Sequence, residues 1–211
     1  MKILDVKSLV IPEIKVVQYQ RFGDERGYFT EIYRKNDFES HPNTGFLKNI
    51  EFTQINESYA KKGVIKGMHF QWNPYMAKLV RPIAGTMIDL FLDIRKNSPT
   101  FGKGAGYKIS SNTSDETGEW IWIPVGFAHG LYFEEDSVLE YMCTGQWAPD
   151  TERSILPLDE NIDWSLMDSN LKLQFDEVRK SNPIMTEKDR DGMTLNQWAE
   201  SNDSNNFMFS E

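Results

Sequence analysis

From Ile50 to Thr144 the chain is a succession of short strand-like segments, IEFTQINESY, GVIKGMHFQ, TMIDLFLD, EWIWIP, VGFAHGLYF and SVLEYMCT, broken at roughly regular spacing by Gly, Pro and Asn. Hardly a helical period interrupts them. Parallel strands need long, usually helical crossovers, so this pattern points to an all-β antiparallel barrel or jelly roll. Lys2 to Phe22 adds two short strands around Pro12. Within Pro82 to Asp93, Ala84-Gly85 reads as a turn ahead of a buried strand from Thr86. Asn97 to Lys108 reads as a glycine-rich loop with neither a G-x-G-x-x-G nor a G-x-x-x-x-G-K-[ST] pattern, hence not a phosphate cradle. Short helices are expected only at the margins, over Arg34 to Ser40, Leu171 to Lys180 and Thr194 to Ser201. The expected organisation is one domain over 1–190 and a polar, acidic C-terminal extension over 191–211, whose last stretch, SNDSNNFMFSE, is expected to be mobile unless Phe207, Met208 and Phe209 dock on a neighbour.

Composition narrows the partners. A hydrophobic content of 39% and an aromatic content of 13% are those of a folded domain. The net charge of −9 argues against nucleic acid and anionic membranes, whose affinity grows with the phosphates neutralised by Lys and Arg. No run approaches the ~20 apolar residues of a membrane span, and Asp5 and Lys7 interrupt the only leader-like stretch, so a cytoplasmic location is expected. The single cysteine, Cys143, excludes an internal disulfide and reads as an inert strand residue.

The chemistry-bearing residues gather around Gly63 to Arg81. Strand alternation keeps Lys66, His69 and Gln71 from sharing a face unless Gly67 introduces a bulge, which is what a glycine inside a strand often marks. The bland alternative for His69 is a hydrogen-bonded core histidine. A second histidine, His129, sits in PVGFAHG, a P-x-G-x-x-H pattern that in metal-binding jelly rolls of the cupin class supplies one ligand. Such sites need a further pair of histidines and a carboxylate. Here Gln71 stands where the second histidine belongs, and no Asp or Glu lies between His69 and Lys78. Two histidines beside an ammonium make a poor divalent site, which leaves acid–base chemistry on an anion-bearing ligand. Gln54 and Asn56 share one strand face by period two, and GDERGYFTEIY places Arg26 in a turn and Glu31 in an aromatic strand. A solvated hairpin with a surface ion pair is the plain reading of the latter.

GVIKGMHFQ, KLVRPIAG, DIRKNSPTFGK, WIPVGFAHG, EYMCT and APDTERSI occur in this order, preceded by GDERGYFTE and followed by NIDW and NPIMTEKD. Together they resemble the dTDP-4-dehydrorhamnose 3,5-epimerase family, the RmlC-like cupins, over most of the chain. The resemblance implies a cupin-type jelly roll that epimerises a nucleotide-linked 4-keto-6-deoxy sugar with neither metal nor cofactor. The keto group acidifies the protons at C3 and C5, so one base and one acid suffice.

Position by position, the family's base falls on His69 and the aspartate that orients it on Asp189. Its acid falls on Tyr141, with Tyr132 a weaker rival because the match needs one deletion in the turn Glu134 to Asp136. Lys78 takes the place of the lysine beside the C4 oxygen, where such a donor is typically worth ~3 kcal/mol of barrier. His129 matches a second active-site histidine. Arg26 and Glu31, with Phe22 and Phe29 on the same hairpin, match the nucleotide side, and Gln54, Asn56, Lys66 and Trp147 match further substrate contacts. The family exchanges the strand near Arg26 between subunits, so a homodimer with composite sites is implied.

Departures from the pattern bear on the substrate. Lys66 replaces an arginine, exchanging a bidentate phosphate fork for a point charge. Gln146-Trp147 replaces a tyrosine pair, and Trp72 and Tyr75 replace smaller residues. A GDP- or CDP-linked substrate, epimerisation at one carbon only, and keto-isomerisation through the same enolate are the alternatives. A non-catalytic sugar-binding cupin would lack the acid–base set that His69, Tyr141 and Asp189 supply.

Overall fold

The structure, a computed structural model, describes residues 1–210. Its strands are β1 (Ile3–Ser8), β2 (Lys15–Gln20), β3 (Phe22–Asp24), β4 (Gly27–Phe29), β5 (Gln54–Ala60), β6 (Ile65–Gln71), β7 (Lys78–Asp93), β8 (Gly104–Ser111), β9 (Thr117–Ile123), β10 (Phe127–Phe133), β11 (Ser137–Cys143) and β12 (Glu152–Ser154). The helices are α1 (Lys35–Ser40), α2 (Ser169–Lys180), α3 (Glu187–Arg190) and α4 (Leu195–Glu200). No helix among the described residues is long and apolar enough to cross a membrane.

The long strand β7 organises the jelly roll. Its first half pairs with β9 and β11 and its second half with β8 and β10, so one strand belongs to two faces. One face continues through β9 to β2 and β1 and through β11 to β5; the other continues through β10 to β6 and β12. The turn expected at Ala84-Gly85 is instead the bend at which β7 changes face. Gly85 has φ +85°, and a Cβ there would lie 2.5 Å from Ser137 Oγ. That hydroxyl accepts from Thr86 N and donates to Thr86 O, replacing ladder bonds lost at the bend.

The glycine-rich segment also differs from the expected loop, because β8 begins inside it. Gly104 and Gly106 lie where a Cβ would press on Trp164 at 2.7 Å and Met167 at 3.0 Å, so glycine lets large side chains cover the strand. The preceding turn is fastened by Asp93, fully buried, which accepts from Ser98 Oγ and Thr100 Oγ1 at 2.6 Å each and from the Arg95 guanidinium at 2.7 Å.

Between the faces pack Val80, Phe91, Ile121, Leu131 and Leu139, each burial contributing about 1.5–3 kcal/mol. Helix α2 is capped by Asp168 and lays Leu171 and Phe175 over the outside of the second face, against Trp164. The C-terminal stretch, expected to be mobile, packs on the same side. Trp198 is fully buried with its indole N–H bonded to Ile94 O, and Phe207 joins the same cluster.

Candidate active site

Between the two faces lies a cavity of about 610 Å³. The bulge expected at Gly67 is present: His129 pairs with His69 and Leu131 with Lys66, so three steps on β6 match two on β10. The extra residue brings Lys66 and His69 to the same cavity. A Cβ on Gly67 would lie 2.6 Å from His129 O, so the close strand approach requires glycine. From the opposite face, β7 contributes Lys78, β11 contributes Tyr141 and Cys143, and β5 contributes Gln54, Asn56 and Ser58. Period two sends Ile55 and Tyr59 outward, where both are exposed.

His69 Nε2 lies 2.7 Å from Asp189 Oδ1, and its Nδ1 lies 3.2 Å from Glu152 Oε1. Asp189 is held by α3, whose Thr186 cap accepts the Asp189 N–H, and its carboxylate also accepts from the Gly67 backbone. Burial alone would lower the His69 pKa, but the bonds to Asp189 and then Glu152 outweigh it and raise it. Burial likewise opposes ionisation of the carboxyls, yet the contacts with His69 hold Asp189 below its ordinary value, and His69, Lys188 and Trp147 hold Glu152 far below it. The arrangement favours a charged imidazolium, the form a base reaches on taking a proton.

Lys78 lies at the floor, its Nζ 3.5 Å from the His69 carbonyl, and burial lowers its pKa. His129 Nε2 is 2.8 Å from Asp89 Oδ2, both side chains enclosed. Burial pushes Asp89 up and His129 down, and Asp89 Oδ1 has no partner. Burial also raises the Tyr141 phenol, keeping it protonated, and the Cys143 thiol. Among the described residues no three His, Cys, Asp or Glu side chains form a metal-ligand set.

Several placements differ from the sequence reading. Gln71 does not line the cavity but bridges loops, donating to Pro74 O and Gln146 O and accepting from Ala148 N. Tyr132 packs outside against Phe175, leaving Tyr141 as the phenol in the cavity. Arg81, the other cation near His69 in sequence, is turned away to Glu140 and Tyr19. Phe22, Arg26, Phe29 and Glu31 are not brought to this chain's cavity. Strands β3 and β4 form a separate two-stranded sheet in which Arg26 pairs with Asp24, while Phe22 and Phe29 stand exposed and Glu31 follows in a strandless segment. Glu152, Lys188 and Asp89 were missed. Glu152 and Lys188 lay in plain motifs, APDTERSI and TEKD, with no signal of direction; Asp89 was legible as an acid within an otherwise apolar strand.

A base backed by carboxylates stands on one face, a protonated phenol on the other, and a buried ammonium between them. Such a set can remove a proton next to a carbonyl from one side of a substrate and return one from the other. The dTDP-4-dehydrorhamnose 3,5-epimerase family model matches residues 8–197. The dTDP-4-dehydrorhamnose 3,5-epimerase of Pseudomonas aeruginosa is 36% identical over 190 residues, covering 87% of this chain and 92% of that protein. The Salmonella typhimurium enzyme of the same name is 39% identical over 163 residues, covering 75% and 85%. The crystal structure of the Legionella pneumophila 3,5-epimerase in complex with dTDP-4-keto-L-rhamnose superposes with a TM-score of 0.75 at 32% identity, covering 91% of this chain and 93% of that one.

Proposed function

The chain belongs to the dTDP-4-dehydrorhamnose 3,5-epimerase family, and on that premise we propose that its cavity inverts C3 and C5 of a dTDP-linked 4-keto-6-deoxy sugar, with His69 as base and Tyr141 as acid. The observation that carries this assignment is their placement on opposing faces of one cavity. Asp189 receives the Nε2–H and steadies the ring, and the imidazole takes the proton from C3. The electron pair moves into a C3–C4 enolate whose oxygen is met by the Lys78 ammonium. Tyr141 then gives its phenolic proton to the opposite side of C3, after which His69 releases its extra proton and Tyr141 regains one through water before the sequence repeats at C5.

Lys66, Gln54, Asn56 and Trp147 supply the contacts to diphosphate and base. The exposed hairpin β3–β4, which joins no strand of the large sheet, supports a homodimer in which Phe22, Arg26, Phe29 and Glu31 complete the partner's site. The test is incubation with dTDP-4-keto-6-deoxyglucose in heavy water, following deuterium at C3 and C5 by NMR, with His69→Ala as control. Deuterium at both carbons that disappears in the variant is expected. Deuterium at one carbon would restrict the enzyme to a single centre, and exchange retained in His69→Ala would remove it as base.

A further inference from the structure

Trp147 is 57% exposed and lies at the rim of the cavity on a loop, residues 144–150, without strand or helix of its own. Trp147 donates its backbone N–H to Gln54 Oε1 and its indole N–H to Glu152 Oε2, each at 2.9 Å, and the rest of the loop leans on the neighbouring loop, residues 72–77, between β6 and β7. Gln71 bonds both at once through Pro74 O and Gln146 O, each at 2.9 Å. Gly145 approaches so closely that a Cβ would lie 2.9 Å from Tyr75 O, and Thr151 Oγ1 donates to Asn73 O at 3.1 Å.

The outer side of loop 72–77 is in turn held by the C-terminal stretch. The Tyr75 hydroxyl donates to Asn206 O at 2.9 Å and its ring meets Phe207 edge-on, with centroids 5.6 Å apart. Trp72 packs on Phe207 and Trp198 at 6.3 and 6.4 Å. Phe207 is itself anchored, since Lys96 N donates to its carbonyl at 2.7 Å and Lys96 O accepts from Phe209 N at 2.9 Å. Trp72 and Tyr75 are the two large aromatics in loop 72–77, and the C-terminal stretch supplies the surface that receives both.

We propose that Trp198 to Phe209 act as a strap that positions the nucleotide-binding rim: through Trp72 and Tyr75 it fixes the loop carrying Trp147 and so sets affinity for the nucleotide half of the substrate. The inference rests on reading that rim as the nucleotide side of a dTDP-sugar site. Tyr75, Asn206 and Phe207 are positioning residues, outside the chemistry. His69 is held chiefly by Asp189 and by its pairing with His129 and Ser154, and it meets Trp147 only through Glu152, which accepts from the Trp147 indole N–H and lies 3.2 Å from His69 Nδ1. Loosening the strap therefore weakens binding more than turnover, because a mobile rim has to be ordered each time ligand enters.

The test compares Phe207→Ala, Phe207→Leu and Tyr75→Phe with wild type in the full chain, measuring Kd for dTDP by calorimetry together with kcat and KM. In Phe207→Ala, Kd and KM rise roughly three- to tenfold while kcat stays within about twofold, and Phe207→Leu restores most of the loss. Tyr75→Phe keeps the ring packing and loses only the bond to Asn206 O, so it shifts Kd in the same direction by less and serves if Phe207→Ala does not fold. The indole N–H resonance of Trp147, assigned with Trp147→Phe, moves in the strap variants without ligand. An unchanged Kd in folded variants, or a loss confined to kcat, overturns the proposal. Wild-type protein that fails to bind dTDP overturns the reading of the site instead, and the Trp147 resonance still decides whether strap and rim are coupled.

Discussion

Replacing Asp189 by Asn removes one negative charge and leaves shape almost unchanged. Asp189 Oδ1 lies 2.7 Å from His69 Nε2, the length of a charge-assisted bond, and the carboxylate is 4% exposed. Hydrogen bonds to ionised groups contribute about 1.5–3 kcal/mol, realised in full only once the ring is an imidazolium. At 1.36 kcal/mol per decade this is a loss of roughly 10- to 150-fold in kcat. A second effect adds to it. The amide can turn its NH2 toward Nε2 and select the tautomer protonated on Nδ1, so that neither ring nitrogen is free to take a proton, an effect worth up to about 10⁴ where a carboxylate backs a catalytic histidine. The expected fall in kcat is therefore about 10²- to 10⁴-fold, with little change in KM.

The direction of the pH effect follows from the same bond. Asp189 raises the His69 pKa and the proposed base is the neutral ring, so in Asp189→Asn the acid limb of kcat/KM moves to lower pH. The assay is deuterium uptake at C3 and C5 over a pH series, with the thermal midpoint confirming folding. A loss below about tenfold, one carried wholly by KM, or an acid limb moving to higher pH would refute the assignment.

In Glu152→Gln the acid limb again moves to lower pH, because the second carboxylate beside His69 is gone; a pH–rate series at saturating substrate checks it. Tyr141→Phe keeps the base and loses the acid, so C3 exchanges deuterium with retention while epimer formation falls about 10²-fold or more, which NMR of the sugar ring distinguishes. Asp93→Asn breaks a buried ion pair and costs about 3–5 kcal/mol of stability, read from denaturant unfolding. Burial opposes the Asp93 charge, but Arg95, Ser98 and Thr100 hold its pKa below the ordinary value. Its contribution is thus complete above the unfolded carboxyl pKa of about 3.9 and is lost as pH falls through the folded value, so the gap between variant and wild type narrows in acid.

Strand alternation and turn residues were enough to read an antiparallel β architecture and most of its strands, since period two and glycine or proline punctuation are local properties. The family motifs were legible for the same reason, and they placed His69, Lys78, Tyr141 and Asp189 together although 120 residues separate His69 from Asp189. Local pattern failed where a residue's conformation is set by a distant neighbour. Ala84-Gly85 looked like a turn because the strand that receives the bend, β11, lies some 50 residues away and bonds Thr86 through Ser137. Gly104 and Gly106 looked like loop because the residues that need the missing Cβ, Trp164 and Met167, come from a later segment.

Glu152, Lys188 and Asp89 are ordinary acids and bases in one dimension, and only the fold aims Glu152 at His69, Lys188 at Glu152 and Asp89 at His129. The C-terminal stretch, polar in composition, hides two large anchors, Trp198 and Phe207, whose burial depends on a surface built by Phe70, Trp72 and Tyr75. The sequence by itself determined most of the strands and which reactive groups the chain carries. The tertiary structure alone decided which groups face one another across the cavity, because direction and contact come from the bend, bulge and register that bring distant segments together.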